Sequence, residues 1–501
     1  MSNIINAIVA VFTPTCLILN ILGTVLGIIF GALPGLNGVV GVALLLPLTY
    51  GLDPVHGLVM LSGMYMGASY GGAVSGILIN CPGTGEAACT AINGNLMQKN
   101  GRGTEALVAS IVASTLGGLF GAIILLFFTP TLSKWALKIG YSEMFLIALV
   151  GLTVVGSLMG KSISKSFFSV AIGLVFAMVG MDNVSSNYRF TFGFMSLQSG
   201  INLVAACVGF FAVAEMLSNL DGGKNDEGKI DKGSKYTVVR GIKDCCTKYF
   251  RLTLKSSIIG TIIGILPGTG GAIASFITYG EAQRSTKDKE NFGKNMGCVE
   301  GVIAPQAANN AVVGGSFIPL LVLGIPGSST SAIIYGALTV HGLIPGPRLF
   351  STNSDIVYAL MVGVLLTVLV MFVAGTTLNG VFAKILSVDM KYIIPAVLAF
   401  SFIGAYSARS NIFDVFVALV LGVVGLFFKK AKLPVAPCIL GMVLGTLAEN
   451  NLRRAITAAS AKNMGLITYI IARPISIVIV LILLLLIYTN TKTILRSKNA
   501  E

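Results

Sequence analysis

The sequence predicts an all-α, polytopic membrane protein of about 12 transmembrane helices, and two observations support this fold class. Hydrophobic residues make up 54% of the 501 residues and charged residues only 11%, against roughly 25% charged in an ordinary soluble domain. The charges are also clustered, and none occurs in residues 1–52, 301–347 or 356–383. Apolar stretches of this length match the roughly 20 residues that a helix needs to cross ~30 Å of hydrocarbon. The composition therefore excludes a soluble enzyme, a nucleic-acid-binding protein and a disordered chain.

The predicted spans follow the apolar runs that lie between charged or Gly/Pro positions. Continuous runs of this kind indicate helices, because a spanning helix satisfies its own backbone hydrogen bonds inside the bilayer. The runs cover residues 15–30, 57–79, 106–130, 144–159, 167–181, 201–218, 256–279, 302–323, 356–375, 393–408, 415–428, 435–447 and 475–488.

A basic segment in the middle of the chain divides these runs into two groups. Residues 218–255 contain nine Lys or Arg against five acids, and basic residues collect in cytoplasmic loops near anionic headgroups. This segment explains part of the net charge of +14 without a nucleic-acid partner. We therefore expect a first membrane repeat over residues 1–217, a basic cytoplasmic loop over 218–255, and a second membrane repeat with a C-terminal helix over 256–501.

The two groups of spans share landmarks in the same order. Residues 31–38 (GALPGLNG) recur as residues 264–271 (GILPGTGG), at an offset of 233. Downstream, Gly71-Gly72 matches Gly314-Gly315, and residues 81–84 (CPGT) match 325–328 (IPGS), at offsets of 243 and 244. Duplicated, Gly/Pro-interrupted hydrophobic segments are typical of secondary transporters. An uncharged N-terminal region followed by a basic middle segment favours inverted repeats with broken or re-entrant helices.

Four Pro-Gly pairs interrupt membrane runs, and each is followed by small or hydroxyl residues. Pro removes a backbone donor and Gly tolerates non-helical backbone, so each pair predicts two half-helices. A half-helix N-terminus suits a carboxylate, and the carbonyls before it suit Na⁺. A simple Pro kink with close helix packing is the alternative. The predicted substrate- or ion-binding residues are Pro34, Gly35, Asn37, Pro82, Gly83, Thr84, Pro267, Gly268, Thr269, Asn309, Asn310, Pro326, Gly327, Ser328, Ser329 and Thr330.

Polar side chains at membrane depth are costly unless they are paired or used, and they form a second signal. The run from Gln306 to Asn310 places three amides beside a long apolar stretch. The N–H groups of neutral amides can donate to a carboxylate, and their oxygens can bind a cation. The alternative role for these amides is hydrogen bonding between helices. Glu86, Thr90, Asn93 and Asn95 follow the second break and are candidates for the same cavity.

Two formal motif matches indicate enzymes, but neither has the context that the chemistry needs. Residues 67–71 (GASYG) match the nucleophile elbow, which requires a strand-to-helix turn and a partner His. The chain has only His56 and His341, which also form no metal cluster. Residues 156–162 resemble a phosphate-binding loop but are one residue short between the glycines. We expect no enzyme and no cofactor, only a coupling ion.

Eleven segments spread along the chain resemble the large membrane subunit of the tripartite tricarboxylate transporters. They are residues 31–38, 45–54, 64–85, 99–107, 189–193, 211–215, 264–279, 301–310, 323–327, 341–347 and 444–449. The resemblance implies a multi-pass permease of the bacterial inner membrane with two inverted repeats that move in an elevator-like way. It implies a small four-helix membrane subunit and a periplasmic solute-binding protein as partners. It also implies symport of di- or tricarboxylates such as citrate with Na⁺ or H⁺.

The sequence departs from the pattern of this family at five positions. Asn37 stands where Gly is usual, and Asn95 replaces an aromatic residue. Asn93 and Gln306 stand where Asp and Glu are common, and Glu86 is an additional acid. A less anionic substrate or a changed coupling ion is therefore an open alternative. A stand-alone secondary transporter for another metabolite class, such as amino acids, is the second function that the sequence allows.

Overall fold

Helices make up most of the structure, a computed structural model that describes residues 2–33, 36–158, 162–182, 187–219, 236–378 and 390–498. Within these ranges the sheet is limited to two antiparallel strands of two residues each, β1 (Gly180–Met181) and β2 (Tyr188–Arg189). The predicted all-α class is confirmed.

The helices are numbered in chain order. The first half contains α1 (Ser2–Val11), α2 (Pro14–Ala32), α3 (Gly38–Leu45), α4 (Pro54–Ile79), α5 (Ala88–Lys99), α6 (Gly103–Ala136), α7 (Tyr141–Leu158), α8 (Ile163–Ala177), α9 (Leu203–Cys207) and α10 (Ala214–Ser218). The π-helical turn Val208–Val213 joins the last two, and short 3₁₀ turns lie at Leu46–Thr49, Gly85–Ala87 and Met195–Leu197.

The second half is equally helical. It contains α11 (Val238–Cys246), α12 (Phe250–Ile265), α13 (Gly270–Ser285), α14 (Glu300–Leu323), α15 (Ser329–Val340), α16 (Leu349–Thr352), α17 (Ser354–Thr377), α18 (Met390–Ser407), α19 (Ile412–Lys430), α20 (Val435–Ser460), α21 (Leu466–Ile471) and α22 (Pro474–Lys498).

Seven of the described helices are long and apolar enough to cross a membrane, which establishes a polytopic membrane protein. They are Pro14–Ala32, Gly103–Ala136, Glu300–Leu323, Ser354–Thr377, Ile412–Lys430, Val435–Ser460 and Pro474–Lys492. Six shorter apolar helices accompany them, and the total of about 12 spans stays a prediction. The apolar run 256–279 is divided between α12 and α13 because the chain turns at residues 266–269.

The basic segment 218–255 is described only at residues 218–219 and from 236 onward. Its described part contains α11 and the first residues of α12. Gly241 and Cys245 of α11 are buried, and Gly241 lies against Val108 of α6. Its cytoplasmic side and the division of the chain at 217 and 255 stay predictions.

Glycines hold α2 against α4 at backbone distance. A methyl group on Gly27 would overlap the carbonyl oxygen of Met64, and one on Gly31 would overlap that of Ala68. Small residues at such positions let two helix backbones approach closely in a membrane. The two helices therefore form a tightly packed pair whose register is fixed by glycine.

The pair α12 and α14 repeats this packing in the second half. A methyl group on Gly260 would overlap the carbonyl oxygen of Ala308, and one on Gly264 would crowd that of Val312. The two glycines of α12 lie 233 positions after those of α2, and the two contact residues of α14 lie 244 positions after those of α4. These are the offsets of the sequence repeat. The packing thus supports the duplication, while the inverted orientation of the two halves stays a prediction.

The same contacts correct one detail of the repeat. Gly71 lies against the carbonyl of Ile28, and Gly315 lies against the carbonyl of Thr261. Gly71 is therefore the counterpart of Gly315, and the predicted match with Gly314 is one residue out of register. An unbroken offset of 244 then describes the whole of α4 and α14.

Two of the Pro-Gly breaks are packed in equivalent ways. A methyl group on Gly83 would overlap the carbonyl oxygen of Gly31, and one on Gly327 would overlap that of Gly264. The chain after α4 therefore packs against α2, and the chain after α14 packs against α12. Helix packing thus fixes where each break lies, and this explains the glycine after each proline.

Gly83→Ala is expected to destabilise the protein by about 1–3 kcal/mol, because its methyl group would enter backbone that cannot give way. Gly85→Ala is the matched control, since a methyl group on Gly85 meets no atom within 4 Å. Thermal unfolding of the two purified variants in detergent would measure the difference. Equal midpoints for Gly83→Ala and Gly85→Ala would contradict the packing described for this break.

Candidate functional site

One cavity of about 180 Å³ collects residues that follow all four breaks. Asn37, Gly38 and Val39 come from the first break, and Ala272 from the third. Tyr65 and Ser69 of α4 complete a wall whose full lining is Asn37, Gly38, Val39, Tyr65, Ser69, Thr84, Gly85, Glu86, Ala272 and Thr330. Segments that are more than 200 residues apart in sequence therefore meet around a single space.

The first wall of the cavity is the N-terminus of α3. Asn37 caps this helix, because its side-chain oxygen accepts the N–H of Val40 at 3.0 Å. Asparagine is a preferred residue at this position, whereas the Gly usual in the resembled family would offer no side-chain acceptor. Asn37 therefore has a local structural role in addition to its place in the cavity wall.

The N-terminus of α15 forms a second part of the wall. Ser328 and Ser331 make a capping box, with the Ser331 N–H donating to Ser328 Oγ at 3.1 Å and the Ser328 N–H donating to Ser331 Oγ at 2.8 Å. Ser328 Oγ is also 2.9 Å from the buried hydroxyl of Tyr65. These contacts fix the first turn of α15, where Thr330 lines the cavity.

The segment after α4 supplies the most polar part of the wall. The N–H of Gly83 donates to Ser75 Oγ at 3.0 Å, which holds the break against α4. Thr84 is only 6% exposed, and its hydroxyl oxygen has no hydrogen-bond partner among the described residues. Glu86 follows in the next 3₁₀ turn and brings a carboxyl group into the cavity wall.

The third break is shaped differently. Gly268 has a φ of 75°, a left-handed conformation that glycine adopts readily. The hydroxyl of Thr269 donates to the carbonyls of Ile263, in the last turn of α12, and of Leu266, which follows that helix. Pro267, Gly268 and Thr269 therefore shape the end of α12, and the cavity wall begins only at Ala272.

Asn309 and Asn310 lie in the middle of α14 and are 1% and 0% exposed. Asn309 Nδ2 donates to the carbonyl of Ser69 at 2.9 Å, and Asn310 Nδ2 donates to the carbonyl of Gln306 at 3.4 Å. Both side-chain oxygens have no partner among the described residues. Neither residue lines the cavity, although Asn309 touches its wall through Ser69.

The predicted site residues thus divide into three groups. Asn37, Thr84 and Thr330 lie in the cavity wall. Pro34 and Gly35 fall outside the described residues. The others hold the breaks or lie behind the wall, and they are Pro82, Gly83, Pro267, Gly268, Thr269, Asn309, Asn310, Pro326, Gly327, Ser328 and Ser329. Their part in binding stays a prediction.

The sequence predicts Glu86 as a candidate for the cavity, but the predicted binding set does not include seven residues of the wall, which are Gly38, Val39, Tyr65, Ser69, Gly85, Glu86 and Ala272. Tyr65 and Ser69 are four residues apart and so share one face of α4, a spacing that the sequence displays. That polar pair on a glycine-rich apolar helix is the signal that could have identified them. Ala272 carries no such signal, because a small apolar residue is ordinary in a membrane helix.

A second and larger cavity, of about 370 Å³, lies elsewhere, between the loop after α8 and the helices α15 and α20. It is lined by residues such as Tyr335, Thr339 and Met442, and it contains no residue of the four Pro-Gly breaks. Of these two cavities the smaller one is therefore the candidate site, because the polar ends of the half-helices converge there.

The sequence model of the tripartite tricarboxylate transporter TctA family matches residues 17–440. The chain belongs to this family. It is also 36% identical over 473 residues, 94% of this chain and 93% of the relative, to the "uncharacterized 52.8 kDa protein in TAR-I ttuC' 3'region" of Agrobacterium vitis. The "uncharacterized protein in TAR-II ttuC' 3'region" of the same organism is 35% identical over 227 residues, 42% of this chain and 93% of that relative. No solved structure matches the chain.

The resemblance found in the sequence is therefore confirmed, and the protein is a multi-pass membrane protein of a transporter family. TctA proteins belong to tripartite transporters that also have a small membrane subunit and a periplasmic binding subunit. In the part of the chain that the structure describes, no group of three or more His, Cys, Asp or Glu side chains could hold a metal ion.

Asn93, one of the departures from the TctA pattern, does not lie in the cavity wall. Its Oδ1 accepts the N–H groups of Gly293 at 2.8 Å and Cys298 at 3.0 Å, and its Nδ2 donates to Tyr279 Oη at 3.0 Å. Asn93 thus ties α5 to the segment between α13 and α14. An Asp could accept the same two N–H groups, so this departure preserves the contacts of Oδ1.

Gln306, the second such departure, is completely buried between helices. Its Oε1 accepts the hydroxyl of Ser114 at 3.0 Å, and its Nε2 donates to Thr90 Oγ1 at 2.8 Å. Asn95 is likewise structural, because its Nδ2 donates to the carbonyl of Ile77 near the end of α4. Asn93, Gln306 and Asn95 therefore make contacts between structural elements, whereas Glu86 is the acidic departure that lies in the cavity wall.

Asn93→Asp is expected to leave stability nearly unchanged, whereas Asn93→Leu is expected to cost about 1–3 kcal/mol by leaving two N–H groups without an acceptor. The matched measurement is the thermal unfolding midpoint of both purified variants against the wild-type protein. A destabilised Asn93→Asp beside a stable Asn93→Leu would contradict the role assigned to Asn93 Oδ1.

Proposed function

We propose that this protein is the permease subunit of a binding-protein-dependent secondary transporter that imports organic anions. The expected substrates are di- or tricarboxylates such as citrate, and the driving force is a gradient of Na⁺ or H⁺. The observation that supports this proposal is the convergence of residues from all four Pro-Gly breaks on one cavity. Broken helices that meet at a cavity are the usual architecture of secondary-transporter binding sites.

The chemistry of the wall suits a carboxylate. Asn37 and Gly38 belong to the N-terminus of α3, and Thr330 belongs to that of α15. Unpaired N–H groups at a helix N-terminus carry about half a positive charge. No Lys or Arg occurs among the described residues that line the cavity. Backbone N–H groups and hydroxyls would therefore hold the anion, as helix N-termini do elsewhere.

Membership of the TctA family supports the remaining parts of the proposal. A small four-helix membrane subunit and a periplasmic solute-binding protein would be the partners, because the family is tripartite. The protein would lie in the inner membrane of a bacterium, where it can receive substrate from a periplasmic protein. Energy would come from an ion gradient, and no enzymatic step is needed.

Uptake into proteoliposomes tests the proposal directly. Labelled citrate, succinate and tartrate would be supplied with both partner subunits, while the Na⁺ and H⁺ gradients are imposed separately. We expect uptake of at least one carboxylate that requires the binding protein and one of the gradients. Uptake of amino acids without any partner, and of no carboxylate with them, would favour the stand-alone transporter instead.

Asn310→Ala is expected to abolish this uptake while the protein still inserts and folds. Its Oδ1 has no partner and its Nδ2 makes only a bond of 3.4 Å, so little stability depends on it. Gln306→Ala is the comparison for stability, because it leaves two buried hydroxyls without a partner and should lower the free energy of unfolding by about 2–3 kcal/mol. Wild-type uptake rates in Asn310→Ala would contradict its part in the site, and equal unfolding midpoints would contradict the contrast in stability.

A further inference from the structure

Glu86 is a carboxyl group without a cationic partner at the wall of the candidate site. No Lys or Arg of the described residues forms an ion pair with it, and none lines the cavity. An ionised group at membrane depth is costly unless it is paired or used. An anionic substrate would add to that cost, because like charges repel strongly where water is scarce. The described lining offers only the partial positive charge of two helix N-termini to offset both groups.

Asn309 lies beside this carboxyl group and has a fixed orientation. Its Nδ2 faces the carbonyl oxygen of Ser69 at 2.9 Å, and a carbonyl can only accept, so the amide cannot be turned over. A methyl group on Gly271 would meet both Asn309 Oδ1 and the carboxyl carbon of Glu86, which places the two groups on one side of α13.

Two oxygens at this place lack partners. Asn309 Oδ1 belongs to a side chain that is 1% exposed, and Thr84 Oγ1 to one that is 6% exposed. Buried acceptors are nearly always satisfied in native proteins, so each of these two oxygens needs a partner, which a water molecule or an ion can supply. Thr84 and Glu86 both line the same cavity. A carboxylate, an amide oxygen and a hydroxyl oxygen are the ligand types that hard cations prefer.

We propose that Glu86, Asn309 and Thr84 form a Na⁺ site in the wall of the cavity. Several oxygen acceptors favour a metal cation, because a proton bridges only two atoms at a time. The bound Na⁺ neutralises Glu86 and permits a carboxylate to enter beside it. Only this second role rests on the proposed transport function, since the site binds Na⁺ without any substrate.

The test is binding of radiolabelled Na⁺ to the purified full-length protein in detergent, with no substrate and no partner subunit. We expect saturable binding that unlabelled Na⁺ competes away and choline does not. Glu86→Gln should weaken the affinity by about tenfold or more, because a neutral amide replaces the charged ligand. Glu281→Gln is the matched control, since Glu281 pairs with Lys255 outside the cavity, and it should bind as the wild-type protein does.

Thr84→Val provides a second variant of nearly the same shape that lacks the ligand oxygen. It too should weaken Na⁺ binding, and it keeps the test valid if Glu86→Gln fails to elute as a folded protein. Absence of Na⁺ binding by the wild-type protein would overturn the proposal. So would unchanged affinity in both variants.

The two proposals fail in different ways. Intact Na⁺ binding together with no uptake of any carboxylate would overturn the transport function and leave the ion site standing. Carboxylate uptake driven by a pH gradient, with no measurable Na⁺ binding, would overturn the ion site and leave the transport function standing.

Discussion

An Ala272→Phe variant is expected to fold normally and to lose uptake of organic anions down to the level of protein-free liposomes. Ala272 lies in the first turn of α13 and lines the candidate cavity, so a larger side chain enters open space rather than packed neighbours. The benzyl group would occupy room that a substrate needs in a cavity of about 180 Å³. Filling space in this way should change stability by less than about 1 kcal/mol, unlike overpacking of a dense core.

Ile277→Phe is the control for this substitution. It introduces the same side chain on the same helix, at a residue that is 50% exposed and does not line the cavity. Its uptake should equal that of the wild-type protein in proteoliposomes with both partner subunits. Normal uptake by Ala272→Phe, or equal losses in both variants, would show that substrate does not pass through this cavity.

The sequence predicts the breaks in this fold better than it predicts the cavity that they build. Pro-Gly pairs act locally, so their positions identify the ends of α4, α12 and α14 without tertiary information. The repeat is also local in origin, because the same glycines that appear as landmarks bring α2 against α4 and α12 against α14. Which polar residues face the resulting space depends instead on helix rotation, which a single sequence does not reveal.

Asn93 and Glu86 illustrate the limit. Both are polar and both follow the second break. Nothing in the sequence indicates that Glu86 lies in the cavity wall and Asn93 does not. The partners of Asn93 are the N–H groups of Gly293 and Cys298, about 200 residues away along the chain and close only once α13 and α14 have folded back. Residue type therefore indicates that a polar group is used, whereas its partners decide whether it serves packing or transport.

Ser328 connects the start of α15 with α4, and this contact makes it a sensitive position. Its Oγ accepts the N–H of Ser331 and lies 2.9 Å from Tyr65 Oη, whose other partner, Ser316 Oγ, is more distant at 3.5 Å. Ser328 is 3% exposed and Ser331 and Ser316 are fully buried, so water cannot replace a lost bond. Thr330 lies two residues further on in the cavity wall, and its position depends on this first turn.

Ser328→Ala should therefore lower the free energy of unfolding by about 2 kcal/mol, through loss of the helix cap and of a partner for a buried hydroxyl. It should also reduce uptake by more than the loss of folded protein explains, because Thr330 is no longer held in place. Ser329→Ala is the matched control, one residue along and half-buried, and it should leave both measurements near the wild-type values. Thermal unfolding and uptake per folded transporter measure the two effects separately. A stable Ser328→Ala variant with full uptake would mean that the first turn of α15 needs neither its cap nor its contact with Tyr65 to shape the cavity.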